Sequence, residues 1–291
     1  LPAQLFEDFV KFHNEQIYSQ DCDPVYPVLK HIGKDYTRTE QVWLTFLHVS
    51  FYHLGSALKV FSDFTAPSEK IMEFVKLPTG TERRAHRNPP NLIRHWQALI
   101  DIHETYGGLD KWIDTFIKDE PKQNWQNINQ VLTLPFGNGR WAAYKTAEML
   151  MKVNDYPLEA TDMGHKNSSG PRHGLELFYK DLPQGQSDEE IALLDTRSEE
   201  LVKAMRVTGA NVSIETAETS LCDFHSMTKG RYYSGIDIDA MQTQLLKVPS
   251  KLTDKAFEAR KATIPNEYLG ELNGWIGVRK EKQNEYRKSR N

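Results

Sequence analysis

Apolar residues recur along this chain at steps of three and four. Trp43, Phe46, Leu47, Leu54, Leu58 and Phe61 form one such stripe, and Leu92, Ile93, Trp96, Leu99 and Ile100 a second. Leu109, Trp112, Ile113 and Phe116 continue it, followed by Trp125, Ile128, Val131 and Leu132. A three-to-four spacing brings these side chains to one face of a helix, where they can be buried together. Ser187-Asp188-Glu189-Glu190 reads as a capping box ahead of Ile191, Leu194, Leu201 and Met205. Ile214, Ala217, Leu221 and Phe224 make a further stripe, while alternating, strand-like runs are short and scattered. The pattern predicts an all-α protein of about ten helices.

The periodicity is interrupted over 65–68, 77–90, 154–171, 182–187 and 248–251, where Pro, Gly and Ser gather. No internal repeat or low-complexity tract stands out. With no clean linker, one compact all-α unit over 1–291 with two lobes is expected, not two separable domains. Within it the segments 131–165 and 187–291 are the stretches of interest.

Composition adds little to the fold and something to the setting. The 291 residues are 39% hydrophobic and 26% charged, ordinary for a soluble protein. No apolar run approaches the roughly 20 residues needed to cross a bilayer, so no membrane partner is expected. The start runs into the amphipathic Leu5, Phe6, Phe9, Val10 stripe without a signal-peptide pattern. Cys22 and Cys222 cannot make a disulfide framework, which points to a reducing cytoplasm. The net charge of −4 argues against indiscriminate coating of nucleic acid, yet leaves room for local basic surfaces at 76–87 and 279–290.

The densest chemical signal is Leu134-Pro135-Phe136-Gly137-Asn138-Gly139-Arg140-Trp141-Ala142-Ala143. Two glycines in a turn that opens a helix permit positive φ and close backbone approach, and the bare N–H groups suit an anion. Arg140 adds a bidentate phosphate donor, and Ala142, Ala143 and Ala147 keep the following helix thin. An ordinary helix–turn–helix corner explains the same glycines. One short helix later comes Tyr156-Pro157-Leu158-Glu159-Ala160-Thr161-Asp162-Met163-Gly164-His165, with an isolated carboxylate just past a proline.

This order resembles helix-hairpin-helix DNA glycosylases, where L-P-x-G-x-G-[RK]-x-[TA]-A grips a strand and a later aspartate acts on a flipped base. The resemblance implies an all-α, glycosylase-like fold of two helical lobes around a DNA and base cleft. Gly137, Asn138, Gly139, Arg140 and Trp141 would contact DNA, Asp162 would be catalytic, and His165 would line the pocket. Asp162 stands about one helical turn further from the hairpin than in typical members. The usual Lys at the far end of the hairpin is replaced by Arg140-Trp141, which argues against Schiff-base lyase chemistry. An iron–sulfur loop of four cysteines is missing too.

Other segments resemble a bacteriophage family, the amino acid:DNA transferases, also called α-glutamyl/putrescinyl thymine pyrophosphorylases. They are Phe9-Val10-Lys11-Phe12-His13-Asn14-Glu15 with Asp23-Pro24-Val25-Tyr26-Pro27-Val28, Phe51-Tyr52-His53-Leu54-Gly55-Ser56-Ala57, Leu77-Pro78-Thr79-Gly80-Thr81-Glu82-Arg83-Arg84, Glu218-Thr219-Ser220-Leu221-Cys222-Asp223-Phe224 and Gly230-Arg231-Tyr232-Tyr233-Ser234-Gly235-Ile236-Asp237. This resemblance implies displacement of pyrophosphate from pyrophosphorylated 5-hydroxymethyluracil in double-stranded phage DNA by the amine of a free amino acid such as glycine. The setting implied is the cytoplasm of an infected bacterium. Thr79, Gly80, Thr81, Arg83, Arg84 and Arg231 would hold the pyrophosphate. Asp162 and Glu218 would be catalytic, with Tyr232, Tyr233 and Asp237 as further pocket residues.

No metal site is expected. Asp237 and Asp239 alternate, but Asp237 is more simply an N-cap for a helix through Met241 and Leu245. His165, His173, Cys222 and His225 lack compact zinc spacing. No cofactor is certain, and Mg²⁺ arriving with the pyrophosphate needs no dedicated ligands. His48 and His53 read as packed members of one aromatic-rich helix, and Cys222 as a small packed hydrophobe. Two alternatives stay open at this level: a base-excision glycosylase, and a DNA-binding scaffold without chemistry.

Overall fold

The computed structural model describes residues 1–80, 88–166 and 168–269. They are all-helical, with no strand among them. In chain order the helices are α1 (Ala3–Ser19), α2 (Val25–Gly33), α3 (Arg38–Phe51), α4 (Leu54–Phe61), α5 (Pro89–Tyr106), α6 (Leu109–Asp114) and α7 (Pro121–Val131). There follow α8 (Arg140–Lys152), α9 (Gly170–Leu175), α10 (Asp188–Val207), α11 (Ile214–Thr228), α12 (Ile236–Lys247) and α13 (Thr253–Thr263). Two 3-10 turns, Glu69–Phe74 and Asn266–Tyr268, complete the set. No described helix is long and apolar enough to cross a membrane.

Local chemistry sets the helix ends. The predicted capping box forms at α10, where Ser187 accepts from the Glu190 N–H and Glu190 reaches back to the Ser187 N–H. Thr37 and Glu40 do the same for α3. Asn88 caps α5 ahead of Pro89, and Gly107 closes that helix at φ 72°, a conformation glycine adopts without strain. One expectation needs correcting. The 43–61 stripe is not a single helix, because Tyr52 turns left-handed at φ 47° and the chain restarts as α4. The apolar pattern gives no sign of the break because both helices are buried almost all round, α3 without interruption from Val42 to Phe51 and α4 at every position but Lys59.

Chain contacts divide the molecule into two compact units. Among the described residues, the first comprises Leu1–Asp23, Ala160–Asp239 and 264–269. Its core gathers Phe9, Phe12, Phe178, Leu201, Met205, Leu221, Phe224 and Tyr232. Phe9 lies 5.2 Å from Phe178 and 5.3 Å from Phe224, centroid to centroid, within the range of favourable aromatic pairs. α9 packs on α11 closely enough that a Cβ at Gly174 would stand 2.6 Å from the Leu221 carbonyl oxygen. Only glycine fits there.

The second unit comprises Pro24–Glu159 and Ala240–Thr263. Trp43, Trp96 and Trp125 are fully buried in it, with Phe46, Phe51, Phe61 and Leu47. Truncating any such aromatic to Ala costs about 3–5 kcal/mol. α8 also buries a charge. Glu148 accepts from Lys145 at 2.9 Å, Lys152 at 3.2 Å and the Tyr26 hydroxyl at 3.2 Å. Burial pushes its pKa up, but the two lysine charges outweigh that and hold it below the ordinary glutamate value.

Candidate active site

The hairpin belongs to the second unit and joins α7 to α8. Pro135 is buried and Gly139 exposed. The turn closes through the Asn138 N–H on the Pro135 carbonyl at 3.1 Å, while the Asn138 side chain donates to Leu132 O at 2.8 Å. α5 holds it from outside. Arg94 stacks 3.6 Å from the Phe136 ring centroid, and His95 Nδ1 bonds Phe136 O at 2.7 Å. Trp141 packs edge-on against Tyr52, at 5.1 Å, and Arg140 is half-buried at the start of α8.

The two glycines differ. Gly137 sits at φ 84°, as predicted. Gly139 does not use positive φ; it is extended at φ −73°, and a Cβ there would meet nothing within 4 Å. Neither conformation nor packing calls for glycine at 139.

Thr79 and Gly80 lie in the same unit. The Gly80 N–H donates to Phe51 O at 2.8 Å, and Ser56 Oγ donates to Pro78 O at 2.7 Å, pinning the 78–80 stretch against the α3–α4 junction. His53, expected inside a helix, is instead the N-cap of α4: its Nδ1 accepts from the Ser56 N–H at 3.1 Å. Thr81, Arg83 and Arg84 lie outside the described residues.

Asp162 and His165 belong to the first unit. Asp162 is half-buried, and its Oδ1 accepts the Gly164 N–H at 2.8 Å. Gly164 at φ 65° completes the turn. Thr161 Oγ1 donates to the other carboxylate oxygen at 3.3 Å. The carboxylate is therefore fixed on its loop by backbone geometry. His165 is fully buried, its Nε2 2.7 Å from Ser198 Oγ on α10.

The remaining predicted residues gather around α11 in that unit. Glu218 is buried, and Cys222 one turn on places its Sγ 3.8 Å from Glu218 Oε1, so the two share a face as expected. Next to them Asp223 accepts from Gln16 Nε2 at 2.7 Å. The same amide nitrogen lies 3.0 Å from the Tyr232 hydroxyl, which in turn donates to Asp21. Asp21 also takes the N–H groups of Gly235 (2.6 Å), Asp237 (3.2 Å) and Ile238 (3.1 Å). It thus caps α12 from a position more than two hundred residues earlier in the chain. The Asp237 expectation is corrected here: it lies in the first turn of α12, its own N–H capped by Asp21. Tyr233 donates to Asp239 Oδ2 at 2.6 Å, and Arg231 is exposed.

This arrangement crowds negative charge. Burial lifts Asp21 to about 7, against the pull of Tyr232 and the three N–H groups. Burial also holds Asp223 well above the usual carboxylate range; Gln16 opposes this, while the charges of Asp21, Asp23 and Glu218 add to it. Tyr232 is pushed up by burial, then by the charges of Asp21, Asp223 and Asp237. Among the described residues no group of three or more His, Cys, Asp or Glu could hold a metal ion.

The structure therefore collects Asp162, His165, Glu218, Arg231, Tyr232, Tyr233 and Asp237 in one unit, and Thr79, Gly80 and the hairpin in the other. Sequence reasoning missed Gln16, Asp21 and Asp223. Asp223 stood inside a quoted motif without being singled out. Gln16 and Asp21 carry no local signal, since their partners lie 207 to 217 positions away.

A family model described as amino acid:DNA transferase matches residues 17–233. No curated protein matches the chain.

Proposed function

The chain belongs to the amino acid:DNA transferase family, and on that premise we propose that it joins the amine of an amino acid, such as glycine, to 5-(pyrophosphoryloxymethyl)uracil in phage DNA. The family match carries this reading, because it brings in DNA as substrate and amine transfer as the reaction. The amine nitrogen attacks the exocyclic carbon at C5, a C–N bond forms, and the C–O bond to pyrophosphate breaks. The nitrogen loses a proton and pyrophosphate leaves.

Each demand of that reaction has a candidate group. Only the free amine attacks, so a carboxylate must take the ammonium proton. Asp162, held by the Gly164 N–H on a half-buried loop, is the proposed base, and Glu218 the proposed partner that orients the amine or the base edge. The departing pyrophosphate gains charge as it leaves and calls for cationic and N–H donors; Thr79, Gly80, Thr81, Arg83, Arg84 and Arg231 are proposed for it. The helix–hairpin–helix segment is proposed to grip the strand through the N–H groups around Gly137–Trp141. A glycine at 139 that the fold does not require supports close approach of something outside the protein. Presenting the C5 substituent to these groups calls for a base turned out of the stack, as in the glycosylases the hairpin resembles. His165, Tyr232, Tyr233 and Asp237 are proposed to shape that pocket. Mg²⁺ would enter with the pyrophosphate.

The test is nucleoside mass spectrometry after incubation with duplex DNA carrying the pyrophosphorylated base and a pool of amino acids. A thymidine adduct heavier by one amino acid, with pyrophosphate released, is expected. Free base and abasic sites would replace the reading with glycosylase chemistry. Unchanged nucleosides on bound DNA would leave a scaffold.

A further inference from the structure

The end of α11 carries a second feature in the first unit. His225 lies in the last turn, and Lys229 and Arg231 follow in the loop. The Arg231 N–H bonds Ser226 O at 2.8 Å and the Gly230 N–H bonds Met227 O at 2.9 Å, with Gly230 at φ 65°, so the loop folds back onto the helix end. From α9, the His173 ring comes 5.5 Å from that of His225, the planes tilted by 36°. Four basic side chains are thereby gathered on one small surface of a chain whose net charge is −4.

Their company does not neutralise them. None of the four side chains forms an ion pair or a side-chain hydrogen bond among the described residues. His225 is held below the ordinary histidine value by burial first, then by the charges of His173, Lys229 and Arg231, with Glu176 pulling the other way. Glu176 itself accepts from Gln184 Nε2 at 2.9 Å. A helix C-terminus attracts cations, but its dipole amounts to only about half a charge. That explains one basic group here, not four held together against their own repulsion.

The geometry points to a phosphate-class oxyanion site made of His173, His225, Lys229 and Arg231. Arg231 supplies a planar fork, Lys229 a mobile point charge, and the paired imidazoles two further donors once protonated. The oxyanion comes either from the pyrophosphoryl group or from the DNA backbone. The site stands without the transferase reading; only its assignment to the pyrophosphoryl group rests on that reading.

Calorimetric titration of the full chain with inorganic pyrophosphate at pH 6 and pH 8 tests it, alongside salt titrations of unmodified duplex binding. The expected result is binding that tightens several-fold at pH 6, because an anion favours protonated imidazole. The double variant Lys229→Gln/Arg231→Gln weakens it about tenfold or more, while Lys203→Gln, on exposed α10 surface, does not. The double variant His173→Gln/His225→Gln removes most of the pH dependence and keeps the pH 8 affinity. If pyrophosphate does not bind, but the Lys229→Gln/Arg231→Gln variant lowers the salt slope of DNA binding by about two, the oxyanion is the DNA backbone. If that variant changes neither, the proposal is overturned. A chain that fails to transfer amino acids would leave these binding results untouched.

Discussion

Asp162 and the two hairpin glycines allow single-residue tests whose outcomes the geometry already separates. Asn at 162 keeps an oxygen to accept the Gly164 N–H, now bonded at 2.8 Å, so Asp162→Asn should preserve the loop while removing the base. Transfer should fall by about 10²–10⁴-fold, with DNA affinity and melting temperature unchanged; a variant retaining full rate would remove Asp162 from the chemistry. At the hairpin, Gly137→Ala forces a side chain into φ 84°, costing about 1–2 kcal/mol, and should lower the melting temperature. Gly139→Ala meets open space and should cost a few tenths of that, yet weaken DNA binding, measured by fluorescence anisotropy. Equal loss of stability in both would mean that glycine 139 serves the fold. These residues were legible in the sequence because turn chemistry is local: proline, glycine and a carboxylate within a few positions define a shape. Gln16, Asp21 and Asp223 were not, because a buried hydrogen-bond network depends on partners that only the fold brings together.

At the scale of elements, two helices are capped by groups that titrate. His53 caps α4 through the Nδ1 lone pair, which a protonated imidazole no longer has. Burial, then the charge of Lys247, lowers its pKa to about 4 from an unfolded value near 6.5. Its contribution to stability is present above 6.5 and lost as pH falls from there toward 4. His53→Asn keeps a good capping oxygen and should lose less melting temperature than the unsubstituted chain between pH 7 and pH 5. Asp21, capping α12, works in reverse. With its folded pKa raised to about 7 from an ordinary value of 3.8, its contribution is fullest below 3.8 and is lost as pH rises through 7. The stability gap between the unsubstituted chain and Asp21→Asn should narrow from pH 5 to pH 8, and a gap constant across that range would contradict the burial of this carboxyl. Helix positions were readable wherever an apolar stripe or a capping box marked them, as at α5, α10 and α11. The α3–α4 break was hidden, since the stripe runs through Tyr52 as though the helix continued.

At the scale of the whole molecule, the family match and the fold draw different boundaries. The match runs from residue 17 to residue 233, whereas the first unit is assembled from three stretches of chain, beginning with Leu1–Asp23. α1 is not an appendage to that unit. Phe9 is fully buried and Phe12 nearly so, in contact with Phe178, Phe224 and Tyr232. His13 bonds Ser220 on α11 at 2.8 Å, and Gln16 bonds both Asp223 and Tyr232. Losing the two phenylalanines alone costs about 6–10 kcal/mol at 3–5 each, comparable with the 5–15 kcal/mol that typically separates folded from unfolded chains. A protein beginning at residue 17 should therefore show no cooperative thermal transition for this unit by circular dichroism. Phe9→Leu, which retains most of the volume, should melt cooperatively at a lower temperature. If the shortened protein instead unfolds cooperatively near the full chain's midpoint, α1 does not complete this core. The distinction bears on chemistry as well as stability, because α1 presents the amide that joins Asp223 to Tyr232, and Asp223 feels the charge of Glu218 on the same helix.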